Sequence, residues 1–206
     1  MTKQQIVALG GGGFSMEKSP LLDDYILSLA RIENPKICFM PTATGDSKQY
    51  VGRFYNRFKK MPCEATHLTL FDRKIQDLEA FIISQDIIYV GGGNTANMLA
   101  IWHVHGVDSA LKKALAGGTV MAGISAGSIC WFESGVTDSF GEDLAPYNCL
   151  GFLSGSNCPH YDGEAARRPA YHKFIEEGSM PSGLAADDSV GLHFVDGVLH
   201  KAVSSR

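Results

Sequence analysis

No Cys-x-x-Cys pair occurs in this chain, and its five cysteines, Cys38, Cys63, Cys130, Cys149 and Cys158, are odd in number and scattered. That spacing suggests neither a disulfide framework nor a zinc site, and it fits reduced thiols in the cytoplasm. Long apolar runs are missing too. No segment approaches the ~20 apolar residues of a membrane span, and the run behind Met1-Thr2-Lys3-Gln4-Gln5 is too brief for a signal peptide. Neither sign of charge dominates: 18 Lys and Arg against 22 Asp and Glu leave a formal charge of -4, so no face is marked for a polyanion. The basic cluster Arg53, Arg57, Lys59 and Lys60 reads as the solvated side of one amphipathic helix. There is no internal repeat and no low-complexity segment. These absences point to a soluble protein with no nucleic-acid or membrane partner; a monomer or homodimer is the expectation, with no residue pattern that chooses between them.

What is present is a chain of 206 residues, 45% of them hydrophobic, enough for one substantial core and short of a clear second. A single α/β domain over residues 1–206 is expected. Apolar runs at Ile6 to Leu9, Lys36 to Met40, Ala65 to Leu70, Ile87 to Val90 and Thr119 to Ala122 show little alternation, as strands buried on both faces do. Helical patterns lie between them, from Leu21 to Leu29, Val51 to Phe58, Leu78 to Ile82, Met98 to Trp102 and Val107 to Leu115. This alternation predicts a doubly wound, mostly parallel sheet with helices on both faces, whose ligands bind beyond the carboxyl ends of the strands. After Phe132 the rhythm gives way to a stretch rich in Gly and Pro that reads as a loop-rich, decorated edge, followed by a helix from about Arg167 to Glu177. The two apolar runs around Asp196-Gly197 predict a C-terminal β-hairpin.

The segment Gly123-Ile124-Ser125-Ala126-Gly127 sits where the fifth apolar run meets a helical one. A Ser between two glycines in that context is the sequence form of a nucleophile elbow, in which side chains at either glycine would strike the adjoining strand or helix. The turn would aim the Ser125 hydroxyl and the first amides of the next helix at one point, where an oxyanion could form. Ser125 is the candidate nucleophile, and Ala126 the candidate donor of one oxyanion amide. Gly91-Gly92-Gly93-Asn94-Thr95, after the fourth strand, offers a second amide from Gly92 or Gly93, because glycine lets the backbone approach a reacting centre.

Gly10 to Gly13 follow the first strand and resemble a phosphate-cradling loop, which raises the alternative of a nucleotide-binding protein or oxidoreductase. The dinucleotide fingerprint fails in two places: its third glycine is replaced by Ser15, and the second strand ends in Met40-Pro41-Thr42 where an acid is required. A non-catalytic relative with a purely architectural elbow is a further alternative.

A serine nucleophile needs an imidazole base and a carboxylate that fixes its tautomer. Of seven histidines, His160 alone lies in an irregular segment after the elbow, Asn157-Cys158-Pro159-His160-Tyr161-Asp162, where such folds carry their histidine. Two acids compete for the third position: Asp188, in the Asp187-Asp188 turn between apolar runs, and Asp138, which follows the elbow helix. Position does not choose between them.

Together these residues resemble the peptidase E and cyanophycinase family of serine peptidases, whose α/β fold is shared with class I glutamine amidotransferases. The resemblance spans most of the chain: Phe39-Met40-Pro41-Thr42-Ala43, Val90-Gly91-Gly92-Gly93-Asn94-Thr95, the elbow through Ser128, the isolated His160 and the acidic turn at Asp188. It implies that Ser125 attacks a scissile carbonyl, His160 takes and returns the proton, and amides near Gly92 and Ala126 hold the oxyanion, with no metal or cofactor. The late acid of the family is typically Glu where this chain has Asp188, and the residue after Asn94-Thr95, often aromatic in relatives, is Ala96 here. The family also implies a small peptide substrate, such as a dipeptide with N-terminal aspartate. A substrate carboxylate calls for a guanidinium partner, and Arg167 and Arg168 are the candidates.

Overall fold

A computed structural model describes residues 2–206. In chain order the elements are β1 (Gln5–Leu9), α1 (Gly13–Met16), α2 (Leu21–Ser28), β2 (Lys36–Met40), α3 (Lys48–Phe58), β3 (Glu64–His67), α4 (Leu78–Ile83), β4 (Ile87–Val90), α5 (Thr95–His105), α6 (Val107–Gly117), β5 (Val120–Ile124) and α7 (Ala126–Ile129). There follow β6 (Phe132–Thr137), β7 (Ala145–Asn148), β8 (Leu153–Cys158), α8 (Arg167–Glu176), β9 (Gly183–Ala185), β10 (Val190–Val195) and β11 (Val198–Ser204). Seven strands form one sheet in the order β11-β10-β1-β5-β4-β2-β3. The five strands from β1 to β3 in that order run parallel, and the β10–β11 hairpin adds antiparallel against β1.

Both faces of this sheet are covered, which explains the unbroken apolar strands. Ile6 and Ala8, Cys38 and Met40, Ile88 and Val90 pack toward α4, α5 and α6, where Trp102 and Leu111 are fully buried. The alternate residues Val7 and Leu9, Ile37 and Phe39, Ile87 and Tyr89 pack toward α1, α2 and α3, against Phe14, Ile26, Tyr50, Phe54 and Phe58. β3 stops at His67, three residues short of the run that predicted it. The chain turns there because the Asp46 carboxylate accepts from the amides of Leu70 and Phe71, at 2.6 and 2.8 Å.

The stretch after Phe132 is not a loop-rich edge. It builds a second sheet, β7-β6-β8-β9, in which β8 runs parallel to both β6 and β9. Its strands escape an apolar reading because some of their buried side chains, Ser156 and Asn157 among them, are polar and find partners in other segments of the chain. The Ser128 hydroxyl donates to Asn157 Oδ1 at 2.9 Å, Asn157 Nδ2 donates to the Leu184 carbonyl at 3.2 Å, and the Ser156 hydroxyl donates to the Pro181 carbonyl at 2.6 Å. Glycine permits the close approach of these strands: a Cβ on Gly183 would lie 2.0 Å from the Ser156 carbonyl oxygen.

The basic cluster on α3 is not a uniformly solvated face either. Arg57 binds the fully buried Asp23 at 2.9 Å and Asp24 at 3.1 Å, while burial pushes the Asp23 carboxyl up from its ordinary value against the pull of Arg57. Among the described residues all five cysteines are free, and no helix is long and apolar enough to cross a membrane.

Candidate active site

Ser125 stands at the carboxyl end of β5 with φ 56° and ψ -112°, a conformation that costs a non-glycine residue about 1–3 kcal/mol. The neighbouring contacts enforce it. The Ser125 amide donates to the Leu9 carbonyl at 3.2 Å. A Cβ on Gly123 would lie 2.1 Å from the Gly127 carbonyl oxygen, and one on Gly127 would lie 2.4 Å from that of Val90. Both are backbone collisions, so the glycines flanking Ser125 are demanded by the turn itself.

The second sheet delivers the other two residues. β8 and β9 are parallel and pair Cys158 with Ala185, so His160, two residues past one strand, and Asp188, three past the other, emerge side by side. His160 Nδ1 lies 2.6 Å from Asp188 Oδ1, with both side chains largely shielded from solvent. Asp138 is not part of this arrangement. It is exposed beyond β6, in a segment that Ser139 ties to the start of α5 through Asn94 and Ala96.

The first glycine run is the seat for this pair. The His160 amide donates to the Gly10 carbonyl at 3.1 Å and the Ser189 amide to the Gly11 carbonyl at 3.2 Å. A Cβ on Gly11 would lie 2.0 Å from Asp188 Oδ1 and 3.1 Å from His160 Nδ1. The phosphate cradle that the nucleotide-binding alternative needs is not formed, because the amides of Gly12 and Gly13 are already engaged. Gly13 donates to the Glu17 carboxylate at 2.8 Å, and Gly12 to the Met16 sulfur at 3.3 Å. A carboxylate stands where a phosphate would have to sit, so the nucleotide-binding alternative has no site at this loop. Among the described residues, no group of three His, Cys, Asp or Glu side chains is arranged to hold a metal ion.

Ser125 and His160 open into one cleft of about 380 Å³, lined also by Ser15, Met16, Thr44, Ser47, Gln49, Tyr50, Arg53, Gly92, Gly93 and Ile124. A volume of this order suits a small ligand. Two sequence assignments change here. Arg167 is buried, with Nε donating to Glu164 at 2.7 Å and an Nη to the Val136 carbonyl at 2.8 Å, so its guanidinium is spent inside the protein. Arg168 lies 5.4 Å over the Tyr161 ring and does not line the cleft. The guanidinium that does line it is Arg53, which amphipathic periodicity had consigned to solvent. Of the expected oxyanion amides, Gly92 donates to the Tyr50 hydroxyl at 3.2 Å, whereas those of Gly93 and Ala126 have no hydrogen-bond partner among the described residues.

The architecture is a mixed α/β fold with a mostly parallel sheet, whose serine elbow shares one cleft with an imidazole-carboxylate pair. The same fold occurs in a crystallised Listeria monocytogenes EGD-e protein provisionally named peptidase E, with a TM-score of 0.73 at 16% identity over 100% of this chain and 99% of that one. It also occurs in a peptidase from an acI-B1 Actinobacterium, with a TM-score of 0.67 at 15% identity over 97% and 96% of the two chains. By sequence the chain is 54% identical to the uncharacterized peptidase YgaJ of Bacillus subtilis (strain 168), over 98% of its own length and 88% of the relative's. It is 25% identical to the uncharacterized peptidase Lin0382 of Listeria innocua, over 65% and 68%. The model of peptidase family S51 matches residues 6–202. The chain therefore belongs to peptidase family S51 and is a serine-type peptidase.

Proposed function

We propose that this peptidase hydrolyses short peptides through an acyl-enzyme on Ser125, with His160 as the base and Asp188 as the acid that orients it. The observation that carries this reading is the 2.6 Å contact between His160 Nδ1 and Asp188 Oδ1 in the cleft that also holds Ser125. With Nδ1–H donating to the carboxylate, Nε2 keeps its lone pair for the serine proton. The proton then passes to the leaving amine, and a water activated by the same imidazole releases the acid product. Family Glu and local Asp188 differ by one methylene, and the seat on Gly11 supports the shorter reach by letting the carboxylate close on the ring. The free amides of Gly93 and Ala126 suit the developing oxyanion.

For the substrate we propose a short peptide with an acidic side chain, such as an N-terminal aspartate. Arg53 supports this choice: it lines the cleft, and among the described residues its guanidinium makes neither a salt bridge nor a hydrogen bond. The five free thiols fit a cytoplasmic setting.

The test is covalent labelling with a fluorophosphonate alongside a dipeptide panel. Wild type is expected to be labelled and to cleave aspartyl dipeptides, Ser125→Ala to do neither, and Asp188→Asn to lose turnover on the order of 10⁴-fold while Asp138→Asn keeps it. Arg53→Met is expected to lower kcat/KM for acidic dipeptides by about 10- to 100-fold, the worth of a charge-assisted hydrogen bond, and to leave neutral ones alone. Turnover by Ser125→Ala near the wild-type level would overturn the mechanism. Equal losses on both substrate types would remove Arg53 from the substrate assignment.

A further inference from the structure

Gly92 lies against the nucleophile: a Cβ there would lie 3.1 Å from Ser125 Cβ and 3.7 Å from its Oγ. Yet the amide hydrogen does not end free in the cleft, since it is donated to the Tyr50 hydroxyl at 3.2 Å. That phenol does not stand there loosely. Its ring centroid lies 5.0 Å from that of Phe39 and 5.5 Å from that of Phe14, and a Cβ on Gly91 would come within 2.8 Å of its Cε1. The side chain is 8% exposed and enters from the first turn of α3, where the Ser47 hydroxyl caps the Tyr50 amide at 3.4 Å. An aromatic held this firmly at the rim of a nucleophile has a fixed direction for its hydroxyl.

A phenolic oxygen that accepts from an amide still has its own hydrogen to give, and the amide makes that hydrogen a better donor by drawing charge from the oxygen. Ser15, a cleft residue itself, is a further polar neighbour of the hydroxyl, and Arg53 and the buried Asp23 are charged groups close enough to act on it. Burial raises the phenol above its ordinary value against the smaller pulls of Ser15, Gly92 and Arg53, so it keeps its hydrogen at neutral pH.

We infer that Tyr50 is a further catalytic residue, whose hydroxyl donates to the oxyanion of the tetrahedral intermediate in the position the Gly92 amide would otherwise serve. The inference rests on the acyl-enzyme reading. The phenol forms no bond to substrate and surrenders no proton; the serine proton travels through His160 alone. Tyr50 completes a set of three donors with Gly93 and Ala126, and the glycine at 91 is needed to admit its ring.

Tyr50→Phe keeps the ring and its packing while removing the donor, so kcat is expected to fall on the order of 100-fold with KM and melting temperature little changed. The rate constant for fluorophosphonate labelling, whose phosphoryl oxygen takes the oxyanion position, should fall in parallel. A ring-fluorinated tyrosine placed at position 50 retains both ring and hydroxyl and keeps the question answerable if the phenylalanine variant folds poorly. Its more acidic phenol should move the alkaline limb of kcat to lower pH, which a purely structural tyrosine would not do. Wild-type kcat and labelling in Tyr50→Phe, or an unmoved pH profile with the fluorinated residue, would overturn the inference and leave the acyl-enzyme intact. A wild type that resists labelling would instead remove the acyl-enzyme and this role with it.

Discussion

Gly10 to Gly13 and Gly91 to Gly93 each follow a strand of the parallel sheet and each precede a helix, yet the atoms crowding them differ in kind. Around the first run stand Asp188, His160, the Ala186 carbonyl and Glu17, so it serves as a socket for other parts of the chain. Around the second stand Ser125, Tyr50 and Ala43, and one of its amides, that of Gly93, has no hydrogen-bond partner among the described residues. A run of glycines states only that backbone must come close to something. What it approaches is decided by the strand order, which puts β1 beside both β5 and β10 and puts β4 beside β5.

The contrast can be broken most forcefully at Gly11. Gly11→Ala thrusts a methyl at Asp188 Oδ1, the far end of a flexible side chain that can swing away, so the fold should survive while the carboxylate parts from the imidazole. Turnover is expected to fall on the order of 10³- to 10⁴-fold, near the Asp188→Asn value, with a small change in melting temperature; full activity would show that the first run seats nothing catalytic. Gly93→Ala comes next. Its Cβ would lie 2.3 Å from a backbone oxygen, that of Ala43, at φ 135°, so stability and kcat should fall together, the latter by about 10²-fold. A stable Gly93→Ala enzyme with unchanged kcat would deny the second run its part in the oxyanion site. The smallest effect is expected from Glu17→Gln, which weakens the acceptor for Gly13 and for the Ser205 hydroxyl. Urea unfolding should register about 1 kcal/mol, with peptidase activity intact. Saturable dinucleotide binding by that variant would restore the phosphate-loop reading.

How much of this could be read from the residues depended on whether the signal was local. The elbow was legible because strand, Ser125, both glycines and helix occupy one short stretch, and the parallel strands were legible because burial on both faces leaves only apolar residues. The hairpin around Asp196-Gly197 was legible because its turn and both its strands occupy one short stretch. The second sheet was hidden, since Ser156, Asn157 and Gly183 satisfy or avoid buried polarity through partners far along the chain. With it was hidden the choice between Asp188 and Asp138, which turns on the pairing of β8 with β9. Arg167 misled because a charge at a helix start is ordinarily solvated, and its burial is compensated by Glu164 and the Val136 carbonyl. Arg53 and Tyr50 lie on a helix whose periodicity reveals which face is apolar, but not that its first turns overhang the carboxyl edge of the sheet.

The hydrogen bonds from His160 to Gly10 and from Ser189 to Gly11 have a consequence for the order of synthesis. Along the chain Ser125 comes before His160 and Asp188, and these two become partners only on reaching a socket made by β1. On the proposed mechanism, a nascent or truncated chain carries an inert alcohol at position 125. Hydrolytic competence then arrives in the same event that joins the two sheets, so an incompletely folded copy is no danger to the peptides around it.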